Sequence, residues 1–235
     1  LSVGLMANLA QRAIAEEQMD APDLAPEIYA AVLADLEKAN RWTFSARSTL
    51  AYLARATAGL DRFSLLDVGY GEGGMLRTIA RWARKRGIAA RLIGIDLNAK
   101  SQAAARAATP DDLTIDYRTG DYGDCEATDF IVSNLVAHHM THDQLIAFLR
   151  HMETKAGKGW LINDLHRHRF AHFGYPLLAR LMGWHPMVRE DGQLSIARSY
   201  RPAEWQSLLT EADIAPGTAQ VVRRFPYRLC VERLR

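Results

Sequence analysis

The sequence predicts an α/β fold: a mainly parallel sheet with an antiparallel C-terminal edge, preceded by a helical N-terminal cap. Three observations predict it. Residues 4–58 carry helical periodicity only. From Phe63 to Leu165 short apolar runs alternate with stretches of helical length, and strands separated by helices imply right-handed crossovers and parallel pairing. The last two apolar runs, "AQVVRRF" and "YRLCVERL", are joined by little more than Pro226. A link that short permits only an antiparallel pair. The change of pattern divides the chain into a cap, residues 1–58, and a sheet region, residues 59–235.

The elements follow in order. "LMANLAQRAIAEEQM" reads as a first helix that ends before "DAPDLAPE". Pro26 opens a second, because a first-turn proline loses no hydrogen bond; Ile28, Val32, Leu33 and Leu36 share its face. "NRWTF" ends it, and Ser45 is placed to cap a third helix carrying Leu50 and Leu53. "FSLLDV" is a buried strand, and "GGMLRTIARWARKRG" an amphipathic helix ending at Gly87. "ARLIGIDL" is the second strand, followed by an alanine-rich helix to about Ala108; "LTIDYR" is the third and "DFIVSN" the fourth. "HDQLIAFLRHME" is a helix and "GWLINDL" the fifth strand. Then comes "RFAHFGYPLLARLMGWHPM", an insertion near 167–200 rich in aromatics and leucine. Pro176 predicts that it is not one straight helix. It packs on the sheet, lines an apolar pocket as a lid, or does both. Pro202 starts the last helix.

Composition narrows the function. The chain has 235 residues, 49% hydrophobic and 24% charged, with a net charge of +2. That suits a globular protein with a full core and lacks the electrostatic footprint of a nucleic-acid binder. The basic run "RWARKRG" falls on the polar side of its helix and reads as a solvated face. Cys125 and Cys230, the two cysteines, form neither a disulfide framework nor a metal-ligand spacing. A reducing cytoplasm is the simple reading. No apolar run is long enough to span a bilayer, so no stable membrane insertion is expected. Oligomeric state is not legible.

The stretch "LLDVGYGEGGML" holds four glycines in six residues, after a strand and at a helix start. Such a turn offers free N–H groups and close backbone approach. Gly69, Gly71 and Gly74 even satisfy G-x-G-x-x-G. The acids argue against a dinucleotide. Asp67 ends the first strand, where it would repel a pyrophosphate and welcome an amine. Asp96 ends the second strand, where an acid accepts from ribose hydroxyls. Asp121 follows the third and can accept from an adenine amine. The loop has no Lys or Arg for a phosphate. An amine, a ribose and an adenine are the parts of S-adenosyl-L-methionine.

On these residues the chain resembles the class I S-adenosylmethionine-dependent methyltransferases, over about residues 60–235. "LLDVGYGEGG", "GIDLN", "TGDY" and "DFIVSNLVAHHM" look like the four ordered motifs of that family. The resemblance implies a Rossmann-like methyltransferase fold. It implies Asp67 at the methionine amine, Gly69, Gly71 and Gly73 along the methionine portion, and Asp96 on the ribose. It implies Leu97 against the adenine, Gly120, Asp121 and Tyr122 at its amine edge, and Asn134 where cofactor meets acceptor. Tyr70 departs from the small residue many members carry; it stacks near the methionine portion or narrows the loop.

For the acceptor, two histidine pairs fall at strand ends: His138 and His139 after the fourth, His166 and His168 after the fifth. Histidine suits a general base near neutral pH, so His139, His166 and His138 are the catalytic candidates. His168 and Arg167 read as exposed or structural, and no metal site is expected. An apolar pocket with a few histidines suits a small hydrophobic acceptor. "QMDAPDLAPEIYAAVLADLEKANRWTFSAR" and "NDLHRH" with "YPLLARL" resemble bacterial small-molecule methyltransferases that methylate phenolic lipids. That resemblance implies O-methylation of a phenol, with C-methylation of a quinol as the rival. An RNA methyltransferase is disfavoured by the charge and by "SNLV" where an N-P-P-Y-type motif would stand. A non-catalytic binding protein or an NAD-dependent oxidoreductase fits the intact acids less well.

Overall fold

The computed structural model describes residues 9–21 and 24–235. Seven strands form one sheet: β1 (Arg62–Val68), β2 (Ala89–Asp96), β3 (Asp116–Thr119), β4 (Thr128–Asn134), β5 (Ala156–Leu165), β6 (Ala219–Arg224) and β7 (Arg228–Leu234). Their order is β3-β2-β1-β4-β5-β7-β6. β1 to β5 pair in parallel, and β7 joins β5 and β6 antiparallel. The expected sheet is therefore present, with β3 beginning later than "LTIDYR" and β5 earlier than "GWLINDL".

Alternation along β1 sends neighbouring side chains to opposite faces. Leu65 packs with Tyr52 and Leu53 of α2 (Ser45–Ala56) and with Leu76 and Ile79 of α3 (Gly74–Lys85). Leu66 packs with Phe148 and Leu149 of α5 (His142–Lys155) and Trp205 of α8 (Pro202–Glu211). The remaining crossover helix is α4 (Ala99–Ala108). A third cluster lies apart: Val32 and Ala39 of α1 (Pro26–Trp42) against Ala179 of α6 (Arg169–Leu181) and Val188 of α7 (Pro186–Arg198). The N-terminal helix and the insertion thus share a core.

Three local expectations are corrected. The helix expected over Leu5–Met19 does not form in its described part: residues 12–17 are not helical, and only Gln18–Asp20 make a short 3-10 turn. Residues 5–8 of that expectation lie outside the described residues. Tertiary partners outcompete the helix there. Arg12 donates to the His138 and Met140 carbonyls at 2.6 and 3.0 Å, and Ala13 N–H donates to the Ala197 carbonyl at 3.1 Å. Ser45 is not a cap: it is the first, buried residue of α2, and Phe44 precedes it with φ 52°. Pro176 does not break α6, which runs through it. Proline removes the donor to the carbonyl four residues back. That carbonyl, His172 O, instead accepts from the Gln193 amide of α7 at 3.0 Å. The insertion turns later, at Gly183 with φ +67°.

Arg167 is structural as expected, but buried rather than exposed, with 2% of its surface accessible. Its guanidinium donates to the carbonyls of Leu9 at 3.1 Å and Ser199 at 2.7 Å, and pairs with Glu204. It ties the N-terminal segment to the end of α7. Arg167→Met strands the Ser199 carbonyl and leaves Leu9 held by Arg201 alone, and urea unfolding should report a loss of about 1–3 kcal/mol.

Candidate cofactor and acceptor site

Strand order reverses between β1 and β4, and ligands of open α/β sheets bind at that switch point beyond the strands' carboxyl ends. A cavity of about 1450 Å³ lies there. Asp67, Gly69, Tyr70, Gly71, Asn134, His138 and His139 line it. So do Leu33 and Leu36 of α1, Leu50 of α2, and Phe170, Tyr175 and Leu178 of α6.

The glycine loop is shaped by close contacts. At Gly69, with φ +76°, a Cβ would stand 2.4 Å from Val136. At Gly71, with φ +54°, nothing lies within 4 Å of that position, so its backbone faces open space. Tyr70 is buried, its ring tilted against Tyr117 with centroids 5.0 Å apart. Gly94 of β2 makes its room, since a Cβ there would meet the Tyr70 ring at 2.6 Å. Its phenol is pushed up to about 12, by burial first and then by Asp96.

Asp67 is 1% exposed. Burial above all, and then Asp96, push its carboxyl up to about 7 against the opposing hydrogen bond from Asn134. That bond is long, 3.4 Å from Asn134 Nδ2 to Asp67 Oδ1. Asn134 is held in turn: its Oδ1 accepts from Thr49 Oγ1 at 2.6 Å and from Asn163 Nδ2 at 3.2 Å. Asp96 also lies above the ordinary carboxylate range, mainly through burial. Its oxygens accept the N–H groups of Gly71 at 2.9 Å and Asn98 at 2.8 Å, so it braces the glycine loop across the strand ends.

The other candidates stand around this edge without lining the cavity. At Gly73 a Cβ would meet the Tyr117 hydroxyl at 2.4 Å, so its role here is close packing. Leu97 is exposed. Gly120 follows β3 with φ +145°. Asp121 caps a short turn, accepting the Gly123 N–H at 2.7 Å. The Tyr122 ring packs 4.9 Å from Phe148 and 4.8 Å from His151.

The histidine pairs are separated by the fold. His138 is buried, and its Nδ1 lies 2.7 Å from Asp164 Oδ1 while its backbone N–H donates to Asp164 Oδ2 at 2.9 Å. The His138 charge partner and hydrogen bonds outweigh burial and hold the Asp164 carboxyl below its usual range. On the far side, Glu17 Oε1 stands 3.7 Å from His138 Nε2 and 3.8 Å from His139 Nε2. His166 belongs to a second cleft of about 840 Å³, with Arg201 and Arg223. Its ring is driven down to about 4, by burial first and then by His168, Arg223, Arg201 and Arg167.

Sequence reasoning missed Glu17, Asp164 and Thr49. Asp164 carried a signal: an acid inside the apolar run "GWLINDL" needs a buried partner. Glu17 carried none, because its helical pattern hid it. Glu17, His138 and His139 present donor atoms within 4.8 Å of one another, a spacing that suits a metal ion. Arg198 already stands 3.8 Å from Glu17 Oε1, so charge balance at that carboxylate does not call for an added cation.

Residues 65–159 match the family described as a methyltransferase domain. That span holds the glycine loop and its strand-end acids. It is a methyltransferase domain. Solved structures share the fold. The magnesium protoporphyrin IX methyltransferase of Synechocystis PCC 6803, with bound S-adenosylhomocysteine, is 16% identical. It aligns over 92% of this chain and 90% of that one at a TM-score of 0.55. Human N-acetylserotonin methyltransferase with S-adenosylmethionine is 16% identical over 90% of this chain and 56% of that one, at 0.62. A methyltransferase from Aquifex aeolicus is 17% identical over 90% and 99%, at 0.58. No curated relative matches. No helix of the described residues is long and apolar enough to cross a membrane.

The residues fit the methyltransferase's cofactor. A buried carboxyl held near 7 with one long hydrogen bond suits the amine of such a ligand. The open backbone of Gly71 admits a ligand. The raised carboxyl also sets the pH dependence of the cofactor-free methyltransferase. Between the ordinary carboxylate range and about 7 the folded chain binds a proton that the unfolded chain releases, so stability falls as pH rises through that window. Asp67→Asn removes the fall. Thermal melts should place the variant above the parent by roughly 1–3 kcal/mol near pH 8, with the gap closing near pH 4.

Proposed function

We propose that this methyltransferase moves the methyl group of S-adenosyl-L-methionine to the oxygen of a small, hydrophobic phenol, in a reducing cytoplasm. One observation carries the reading. A single cavity is lined by Asp67 and the glycine loop, by apolar side chains of α1 and α6, and by the Asp164-held His138 beside His139. Its volume exceeds the roughly 300–1,000 Å³ of a pocket for one small ligand.

The cofactor supplies a methyl group already activated on a sulfonium. The chain's residues do the rest. Asp67, once ionised, holds the amine. Asp96, with acceptor capacity left on both oxygens, takes the ribose hydroxyls, and Asp121 with Tyr122 serves the adenine edge. Asn134 orients Asp67 through its hold on Thr49 and Asn163. Asp164 accepts from His138 Nδ1 and so turns Nε2 outward as a base, the tautomer that proton removal requires. Glu17, 5% exposed, lies between the two imidazoles and stabilises either as a cation. The apolar walls orient the phenol and exclude water. His166 stands apart from these groups, so His138 and His139 are the bases in this reading.

Two tests follow. Because the amine requires ionised Asp67, affinity for S-adenosylmethionine should rise with pH, up to about tenfold per unit, and level off above about 7; calorimetry should show Asp67→Asn flattening that slope. In assays with labelled cofactor and a panel of phenols and quinols, His138→Gln or His139→Gln should lower kcat by about 10²-fold or more with cofactor affinity unchanged. Full turnover in both variants removes the base from the mechanism, and a methylated ring carbon in the product makes the acceptor a quinol.

A further inference from the structure

The outer face of α6 has no place in the machinery above. Phe170, Phe173, Leu177 and Leu181 recur at spacings of three and four, which puts them on one side of the helix. They are 57% to 76% exposed. The opposite side is the one that packs: Ala179 is buried, and Tyr175 and Leu178 lie against the α1–α7 cluster. The stripe does not end with the helix. Phe225 and Tyr227 of the β6–β7 turn and Trp42 and Phe44 at the end of α1 are exposed too. Phe170, Phe225, Tyr227, Trp42 and Phe44 also line the 1450 Å³ cavity. The mouth of the cavity is a rim of exposed aromatic rings.

The charges on α6 and in the cleft beside it have one sign. From Leu165 to Arg189 the sequence has no Asp or Glu, yet it carries Arg167, Arg169, Arg180 and Arg189. The second cleft, beside Phe170 and Phe173, is lined by Arg167, Arg169, Arg201, Arg223, Arg224 and Arg228 and by no carboxylate. Arg167, Arg189 and Arg224 have acidic partners in Glu204, Glu190 and Glu232. Arg169, Arg180 and Arg223 are exposed and form no ion pair with a described residue.

We propose that this face docks on an anionic lipid bilayer. The apolar stripe and aromatic rim enter the interface, and Arg169, Arg180 and Arg223 meet lipid phosphates. Exposed aromatics beside arginines suit that boundary, where rings sit at the headgroup level and basic residues are drawn to anionic lipid. A second copy of the chain is a poorer occupant, because a two-fold contact would bring the same arginines against themselves. The bilayer also accounts for the rim's place on the cavity mouth: a hydrophobic acceptor passes from lipid to the cavity without crossing water. That last step rests on the proposed acceptor class; the docking does not.

Sedimentation with sucrose-loaded vesicles tests the docking on the full chain, with neither cofactor nor acceptor present. Binding is expected to vesicles containing phosphatidylglycerol, to exceed binding to phosphatidylcholine alone, and to weaken with salt. Joint Phe173→Ser, Leu177→Ser and Leu181→Ser substitution, on the exposed face and away from the cavity, should lower partitioning at least about tenfold. Arg169→Gln, Arg180→Gln and Arg223→Gln should each cost about fivefold at low salt. No sedimentation with either vesicle overturns the proposal, as does a solution dimer that the triple substitution dissociates. Calorimetry with S-adenosylmethionine on the same preparation reads the proposed function separately: its failure leaves a positive vesicle result standing.

Discussion

The buried carboxyl of Asp67 is the constraint on which the site is built. A carboxylate in the protein interior is costly without compensation, and here one long contact from Asn134 is its hydrogen bond. Asn134 can offer that contact only because its own oxygen is committed to Thr49 and Asn163. Asn163 donates as well to the Ser45 carbonyl at 2.9 Å. A polar chain therefore runs from β1 through β4 and β5 to the start of α2. Each member sits where it does because the parallel sheet puts β1 beside β4 and β4 beside β5. The cost of burying Asp67 is borne by the sheet and the polar chain that surround it.

The histidine wall of the cavity is held by a different device. Arg12 and Arg198 both donate to the His138 carbonyl, from an irregular segment and from the last turn of α7. Glu17 reaches the imidazoles from the same irregular segment, fixed by the Ser195 hydroxyl at 2.7 Å. Arg167 fastens that segment a second time, through Leu9. Charged residues in the interior here act as cross-links between parts of the chain that are far apart in sequence. They place the wall of the cavity where the two histidines stand, with Asp164 supporting His138 from β5.

The sheet was legible because strand patterns repeat locally. "FSLLDV" and "GWLINDL" need no distant partner to be recognised, and the glycine loop announces a tight turn wherever it occurs. The strand-end acids were legible for the same reason: each stands at or just after a strand end, and parallel strands bring their ends to one edge. Elements failed where distant partners decided. The Leu5–Met19 periodicity is real, but Arg12 and Glu17 find stronger partners in α7 and beside β4 than a helix would give them. Pro176 should interrupt a helix, but Gln193 supplies the hydrogen bond that proline removes. Ser45 has the chemistry of a cap, but α2 begins with it buried against Asn163.

The sequence by itself determined the α/β class, the order of strands and helices, the tight glycine turn, and the acids at its edge. These are properties of short stretches, set by periodicity, glycine and strand-end position. Only the tertiary structure decided which histidines line the large cavity. His138 and His166 follow neighbouring strands, yet they stand in different clefts. It also decided that Asp164 and Glu17 are companions of His138, Glu17 of His139 as well, and not surface charges, and that α6 turns an apolar stripe outward. Such facts depend on what lies next to what across hundreds of ångströms of chain contour, and no local pattern encodes them.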